Sequence, residues 1–176
     1  ILEYVKGVGK DKIEIPIFAS FTATSMAIYF ALLGSGITII EDASIEPEIL
    51  FLLETIEKLG YFVHREGRTI QINGRRNESI SLKQEISVPV DRNVLVTQMV
   101  DAIYEQKVFF YSDERELYLE ELVEKLREFN VEIAYDGKSV RFDFAKKERT
   151  YSNHLVFGHY PDLCTDWQPL LTTLCA

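Results

Sequence analysis

Gly67-Arg68-Thr69-Ile70-Gln71-Ile72 and Gly137-Lys138-Ser139-Val140-Arg141-Phe142 are two versions of one phrase, 70 positions apart. Leu59-Gly60-Tyr61-Phe62-Val63 and Phe129-Asn130-Val131-Glu132-Ile133 recur at the same offset. Upstream, Ile13-Glu14-Ile15-Pro16 and Ile86-Ser87-Val88-Pro89 recur at 73. Small loop differences account for the drift. Self-similarity at a fixed period is the mark of a duplicated structural unit.

Both copies spell the same order of elements. A strand opens each, over 12–17 and 85–90. In the first, Ile13, Ile15 and Ile17 alternate with other residues, the period-two pattern of a half-buried strand. A helix follows, over 20–33 and 93–105. In the first, Thr24, Ala27, Ile28, Ala31 and Leu32 fall on one face. The next strands, 37–40 and 108–111, are β-branched or aromatic. Second helices follow over 47–59 and 117–129. Pro47 suits a first helical turn, where its missing N–H has no partner anyway. Gly60 suits the residue just past a helix, where the backbone turns left-handed. Asn130 takes that place in the second copy. Two strands close each unit, 61–65 with 69–73 and 131–135 with 139–144, and Asp136-Gly137 signals a hairpin turn. The unit is β-α-β-α-β-β, about 70 residues long. A third copy starts at Leu155-Val156-Phe157 and reaches a helix over 165–174. It has no room to close, and an open unit leaves a sheet edge and a helix face uncovered. The expectation is an excerpt of a longer protein, divided into units at 1–84, 85–150 and 151–176.

The 176 residues are 47% hydrophobic and 27% charged, ordinary for a soluble globular protein. The formal net charge of −9 disfavours a nucleic-acid partner, because phosphate-backbone binding needs clustered Lys and Arg. A small anion held by a few local groups stays open. No apolar stretch approaches the roughly 20 residues that span a bilayer, so no membrane association is expected. Two cysteines, Cys164 and Cys175, make no disulfide framework and fit a reducing, cytoplasmic setting. His64, His154 and His159 have no metal-ligand spacing with them, so no metal and no cofactor is expected.

Three stretches resemble one family. Glu41-Asp42-Ala43-Ser44-Ile45-Glu46-Pro47-Glu48-Ile49 is similar to the Glu-Pro-Glu-Ile segment of UDP-N-acetylglucosamine enolpyruvyl transferases (1-carboxyvinyltransferases). Tyr160-Pro161-Asp162-Leu163-Cys164-Thr165-Asp166-Trp167-Gln168 resembles their Pro-Gly-Phe-Pro-Thr-Asp-x-Gln signature. Val88-Pro89-Val90-Asp91-Arg92 is similar to their Pro-Asp-Arg strand end. The stretches stand in family order, over nearly the whole chain. The resemblance implies an inside-out α/β barrel of β-α-β-α-β-β units, with 1–84 as the last unit of the mobile-loop domain and 85–150 as the start of the other. It implies transfer of an enolpyruvyl group from phosphoenolpyruvate to the 3-hydroxyl of UDP-N-acetylglucosamine, in peptidoglycan precursor synthesis.

That chemistry needs a base for the hydroxyl proton, an acid for the enol carbon, and cations for carboxylate and phosphate. The resemblance places Asp166 at the sugar hydroxyl as base or anchor, beside Thr165. Read from the residues alone, Thr165 or Asp166 is an N-cap. By the same resemblance Phe18, Ala19, Ser20 and Phe21 form the loop that holds the nucleotide, at a helix start whose free N–H groups suit a diphosphate. Ser20 also reads as a plain cap. Asp91 and Arg92 read either as a cap and surface pair or as a cleft-lining pair that orients substrate. The chain departs from the family pattern at Phe18 where Lys is frequent, at Thr22 where Gly is frequent, and in the signature itself, where Asp162 stands for Gly and Cys164 for Pro. The Gly-rich loop carrying the family's acid Cys or Asp is not in this sequence. By itself, then, the chain is expected to be inactive and to bind the two substrates weakly or not at all. A diverged relative that keeps the fold for binding or assembly is the alternative, with self-association or association with missing segments left open.

Overall fold

The computed structural model describes residues 11–15, 18–75, 85–128, 131–143 and 155–174. The chain divides into two compact units, Ile1–Ser87 and Val88–Ala176, each with its own apolar core.

Unit 1 follows the full β-α-β-α-β-β order: β1 (Asp11–Glu14), α1 (Phe21–Leu33), β2 (Ser35–Glu41), α2 (Pro47–Lys58), β3 (Phe62–Glu66) and β4 (Thr69–Arg75). The sheet order is β1-β2-β4-β3. β1 and β2 run parallel, with Ile13 opposite Ile40, and β4 pairs antiparallel with both β2 and β3. Gly67, at φ 56°, makes the left-handed step of the β3–β4 hairpin. Ile40, Ile70 and Ile72 point from the sheet into a core completed by Ala27, Ile28 and Ala31 of α1 and by Ile49, Leu53 and Ile56 of α2. A fully buried side chain of this size stabilises the fold by roughly 1.5–3 kcal/mol. Gly74 lets β4 run close beneath α1. A Cβ there would lie 2.6 Å from the Gly34 carbonyl oxygen and closer still to that of Ala31. α2 begins at Pro47 and ends as expected at Gly60 (φ 88°). The Gly60 N–H donates to the Glu57 carbonyl and the Tyr61 N–H to that of Ile56, a Schellman closure.

α1 departs from the usual surface helix. Thr24, Ala27, Ile28 and Ala31 are buried, but Met26, Tyr29, Phe30 and Leu33 stand exposed on the other side. The helix is therefore apolar round most of its circumference.

Unit 2 contains α3 (Arg92–Tyr104), β5 (Val108–Ser112), α4 (Glu120–Glu128), β6 (Ile133–Tyr135), β7 (Ser139–Asp143), a 3-10 turn (Thr165–Trp167) and α5 (Gln168–Leu174). Its sheet is antiparallel in the order β5-β7-β6. Val140 and Phe142 face a core built by Leu95, Val96, Met99 and Ile103 of α3 and by Leu122, Val123 and Leu126 of α4. Leu163, Trp167, Leu171 and Leu174 join the same core, so the segment after 155 packs within unit 2.

Several expected boundaries move. Residues 85–90 alternate like a strand but form none. Pro89 cannot donate to a ladder, and Val88 is three-quarters exposed. Residues 155–157 likewise alternate, with Leu155 and Phe157 packed inward and Val156 exposed. Their neighbourhood forms only an isolated bridge between Gly158 and Cys164 among the described residues. α4 starts at Glu120 rather than 117, because the preceding chain turns through Tyr118 at φ 53°. The residue expected to close α4, Asn130, lies outside the described residues, as do Pro16, Ile17, His154 and Cys175.

Candidate functional site

The nucleotide-loop residues sit together at the start of α1. Ser20 is the N-cap, its Oγ accepting from the Ala23 N–H at 3.3 Å. Ala19 is buried with φ 56°, and its N–H donates to the Asp42 carbonyl at 2.9 Å. Phe18 and Phe21 are exposed. The Arg68 guanidinium lies over the Phe18 ring, 5.0 Å from its centroid, and donates from Nη1 to the Ala43 carbonyl at 3.1 Å. A positive charge therefore stands beside Phe18, delivered from the β3–β4 turn, a strand pair away in sequence.

Asp91, Arg92, Thr165 and Asp166 belong to unit 2. Asp91 is the N-cap of α3: its Oδ1 accepts from the N–H of Asn93 at 2.8 Å and of Val94 at 3.3 Å. The cap reading is realised for that residue. Arg92 is no surface residue. It is 6% exposed, and its guanidinium lies against two rings, 5.7 Å from the centroid of Tyr160 and 5.4 Å from that of Trp167. The indole N–H of Trp167 donates to Asn93 Oδ1 at 2.8 Å. The start of α3 and the 3-10 turn at Thr165 are thereby tied together. Arg92, Tyr160 and Trp167 border a partly open cleft of about 240 Å³, whose other walls are Tyr118, Glu120, Glu121, Pro161 and Asp162.

Thr165 and Asp166 are exposed on that turn. Neither is its N-cap, which corrects the capping expectation. Cys164 holds that position and makes no side-chain hydrogen bond there. Asp166 lies instead in the first turn, where a carboxylate meets the positive end of the helix. Behind the lining residue Glu120, the Tyr135 hydroxyl accepts from the Leu119 N–H at 3.1 Å and donates to Glu120 Oε1 at 2.9 Å. Burial, together with the Glu120 carboxylate, holds that hydroxyl's pKa well above its ordinary 10. Asp162 packs on Gly158, where a Cβ would sit 2.6 Å from Asp162 Oδ2.

Asn93 and Tyr160 as partners of the site were not legible in the linear sequence. Asn93 and Trp167 are 74 positions apart, and only the fold brings them within hydrogen-bond reach. Among the described residues no His, Cys, Asp or Glu side chains cluster in threes as a metal site would need, and no helix is long and apolar enough to cross a membrane.

A family model described as EPSP synthase (3-phosphoshikimate 1-carboxyvinyltransferase) matches residues 5–109. The chain belongs to that family. Within the EPSP synthase family, UDP-N-acetylglucosamine 1-carboxyvinyltransferase of Protochlamydia amoebophila is 30% identical over 153 residues, covering 86% of this chain and 32% of that protein. The like-named protein of Deinococcus deserti is 29% identical over 154 residues, covering 87% and 35%. The chain thus spans about a third of the length of the curated relatives it matches. Among solved structures, the enolpyruvyl transferase NikO from Streptomyces tendae superposes with a TM-score of 0.77 at 16% identity, over 95% of this chain and 41% of that one. EPSP synthase from Acinetobacter baumannii superposes with a TM-score of 0.52 at 19% identity, over 78% and 32%. At such identities the structural likeness bears on the EPSP synthase fold alone.

Proposed function

We propose that this chain is the part of a 1-carboxyvinyltransferase that presents Asp166 to the 3-hydroxyl of UDP-N-acetylglucosamine, with phosphoenolpyruvate as enolpyruvyl donor. The observation that carries the reading is the Asp166 side chain itself: exposed, in the first turn of a helix whose next residue is locked into the core. A carboxylate so held can accept the hydroxyl proton or anchor the hydroxyl by hydrogen bond. Thr165 adds a hydroxyl on the same turn. Arg92 and Asp91 hold the adjoining start of α3, Asp91 as its cap and Arg92 beneath the rings.

The loop Phe18, Ala19, Ser20 and Phe21 is proposed to meet the nucleotide diphosphate. The α1 N-terminus offers N–H groups, and Arg68 brings a cation to Phe18 where the resembling family often has Lys. Residues 1–84 are read as the last β-α-β-α-β-β repeat of one domain and residues 85–150 as the first repeat of the other, with residues 151–176 opening the next repeat. The division of the chain near residue 87 supports that reading. The curated relatives' shared name supports a role in peptidoglycan precursor synthesis, where a nucleotide-sugar substrate fits a cytoplasmic setting.

The test is an NMR titration of the chain with UDP-N-acetylglucosamine into the millimolar range. Amide shifts at Thr165, Asp166 and Gln168 are expected to move, and Asp166→Ala is expected to abolish the movement. Silent amides at these three positions would sink the assignment.

A further inference from the structure

The turn that carries Asp166 is short and makes no cap of its own. Its N-cap residue, Cys164, makes no side-chain capping hydrogen bond to the turn. Its backbone makes 3-10 bonds from the Trp167 N–H to the Cys164 carbonyl at 3.1 Å and from the Gln168 N–H to the Thr165 carbonyl. A 3-10 turn of this length has poorer hydrogen-bond geometry than an α-helix and needs help to keep one shape. The help comes from the next side chain. Trp167 is 2% exposed, sits against the Arg92 guanidinium, and gives its indole N–H to Asn93 at the start of α3.

We propose that Trp167 is the positioning residue for Asp166, acting through Asn93 and Arg92. The inference rests on the reading of Asp166 given above. Trp167 turns its ring into the core, so the adjacent carboxylate is left facing solvent. The indole–Asn93 bond fixes the rotation of the turn about its own axis. The Arg92 stack, shared with Tyr160, fixes its distance from α3. A residue placed this way sets where a proton acceptor stands without touching substrate.

The test uses the full chain and three variants. Asn93→Ala removes the acceptor at an exposed position and so leaves the core intact. Trp167→Phe keeps a ring near Arg92 and removes the indole N–H. Asn93→Asp keeps an acceptor oxygen. Amide exchange at Trp167, compared with exchange at the α4 core amides of Leu122 and Val123, separates a local loosening from a global loss of stability. Exchange at Trp167 should quicken roughly tenfold in Asn93→Ala and in Trp167→Phe, with the α4 amides unmoved, as for loss of one well-formed hydrogen bond. Asn93→Asp should restore the parent rate. With UDP-N-acetylglucosamine, both loosened variants should show the same weakened response at Asp166, and the double variant no further loss. A turn that loosens while no form of the chain responds to the sugar nucleotide would uphold the positioning role and overturn the functional reading. Unchanged exchange at Trp167 in Asn93→Ala, or equal acceleration at the α4 amides, would overturn the positioning role.

Discussion

The Tyr135 hydroxyl joins β6 to the start of α4 by donating to Glu120 and accepting from the buried Leu119. Tyr135→Phe leaves the Leu119 N–H without that acceptor, and a loss of about 1–2 kcal/mol in urea unfolding is expected. The same group predicts an alkaline weakness. Its pKa is raised in the fold, chiefly by burial, and Tyr111 is raised in the same direction by burial and by Asp113. Both hydroxyls ionise more readily in the unfolded chain, so their contribution is complete below pH 10 and declines as pH rises beyond it. A denaturation series at rising pH should show the decline, and Tyr135→Phe should lessen it. Gly74 has a different constraint, since its neighbours are the backbone carbonyl oxygens of Ala31 and Gly34, at the end of α1, which cannot swing aside. Gly74→Ala should cost about 1–3 kcal/mol through forced separation of β4 from α1, and an unchanged midpoint would mean that the strand yields freely.

Elements were legible where local chemistry dictates them. Pro47 and Gly60 bracket α2 because one lacks an N–H and the other tolerates a positive φ, and both act within a few residues. Asp136-Gly137 makes its turn for the same kind of reason: Asp136 Oδ1 accepts from the N–H of Lys138 and of Ser139, which lowers the pKa of its carboxyl. The strand expected over 85–90 failed because alternation states only that one face prefers a core. It does not supply a hydrogen-bonding neighbour. For α3, Asp91 satisfies two N–H groups that the helix cannot satisfy itself. Asp91→Ala should lower stability by about 1 kcal/mol. Asp91→Ser, which keeps an acceptor, should recover most of it in the same thermal melts.

Across the molecule, each unit offers its own probe. Trp167 is the single tryptophan of the chain and lies in the core of unit 2. Leu122 is fully buried in that core, so Leu122→Ala should lower the midpoint of the tryptophan emission change by about 2–5 kcal/mol equivalent. Ile56→Ala should exact a similar loss in unit 1, read by far-ultraviolet circular dichroism. The repeat at 70 positions made the two-unit plan readable, because duplicated apolar positions imply duplicated cores. The clasp around Arg92 was not readable. It joins residues from two ends of unit 2 through an amide, a guanidinium and an indole, and no local pattern announces such a meeting.

A rod that is greasy on nearly every flank has no waterline to settle at. Hydrophobic burial alone therefore leaves the azimuth of α1 poorly determined. Two pins stop it swivelling: the Ser44 N–H donating to the buried Thr24 Oγ1 at 2.8 Å, and the flat bearing surface of Gly74 under its C-terminal turn. Replacing Thr24 with its isostere Val would preserve shape and grease but pull one pin. The helix would then sample several rotational settings, visible as multiple methyl resonances for Ile28.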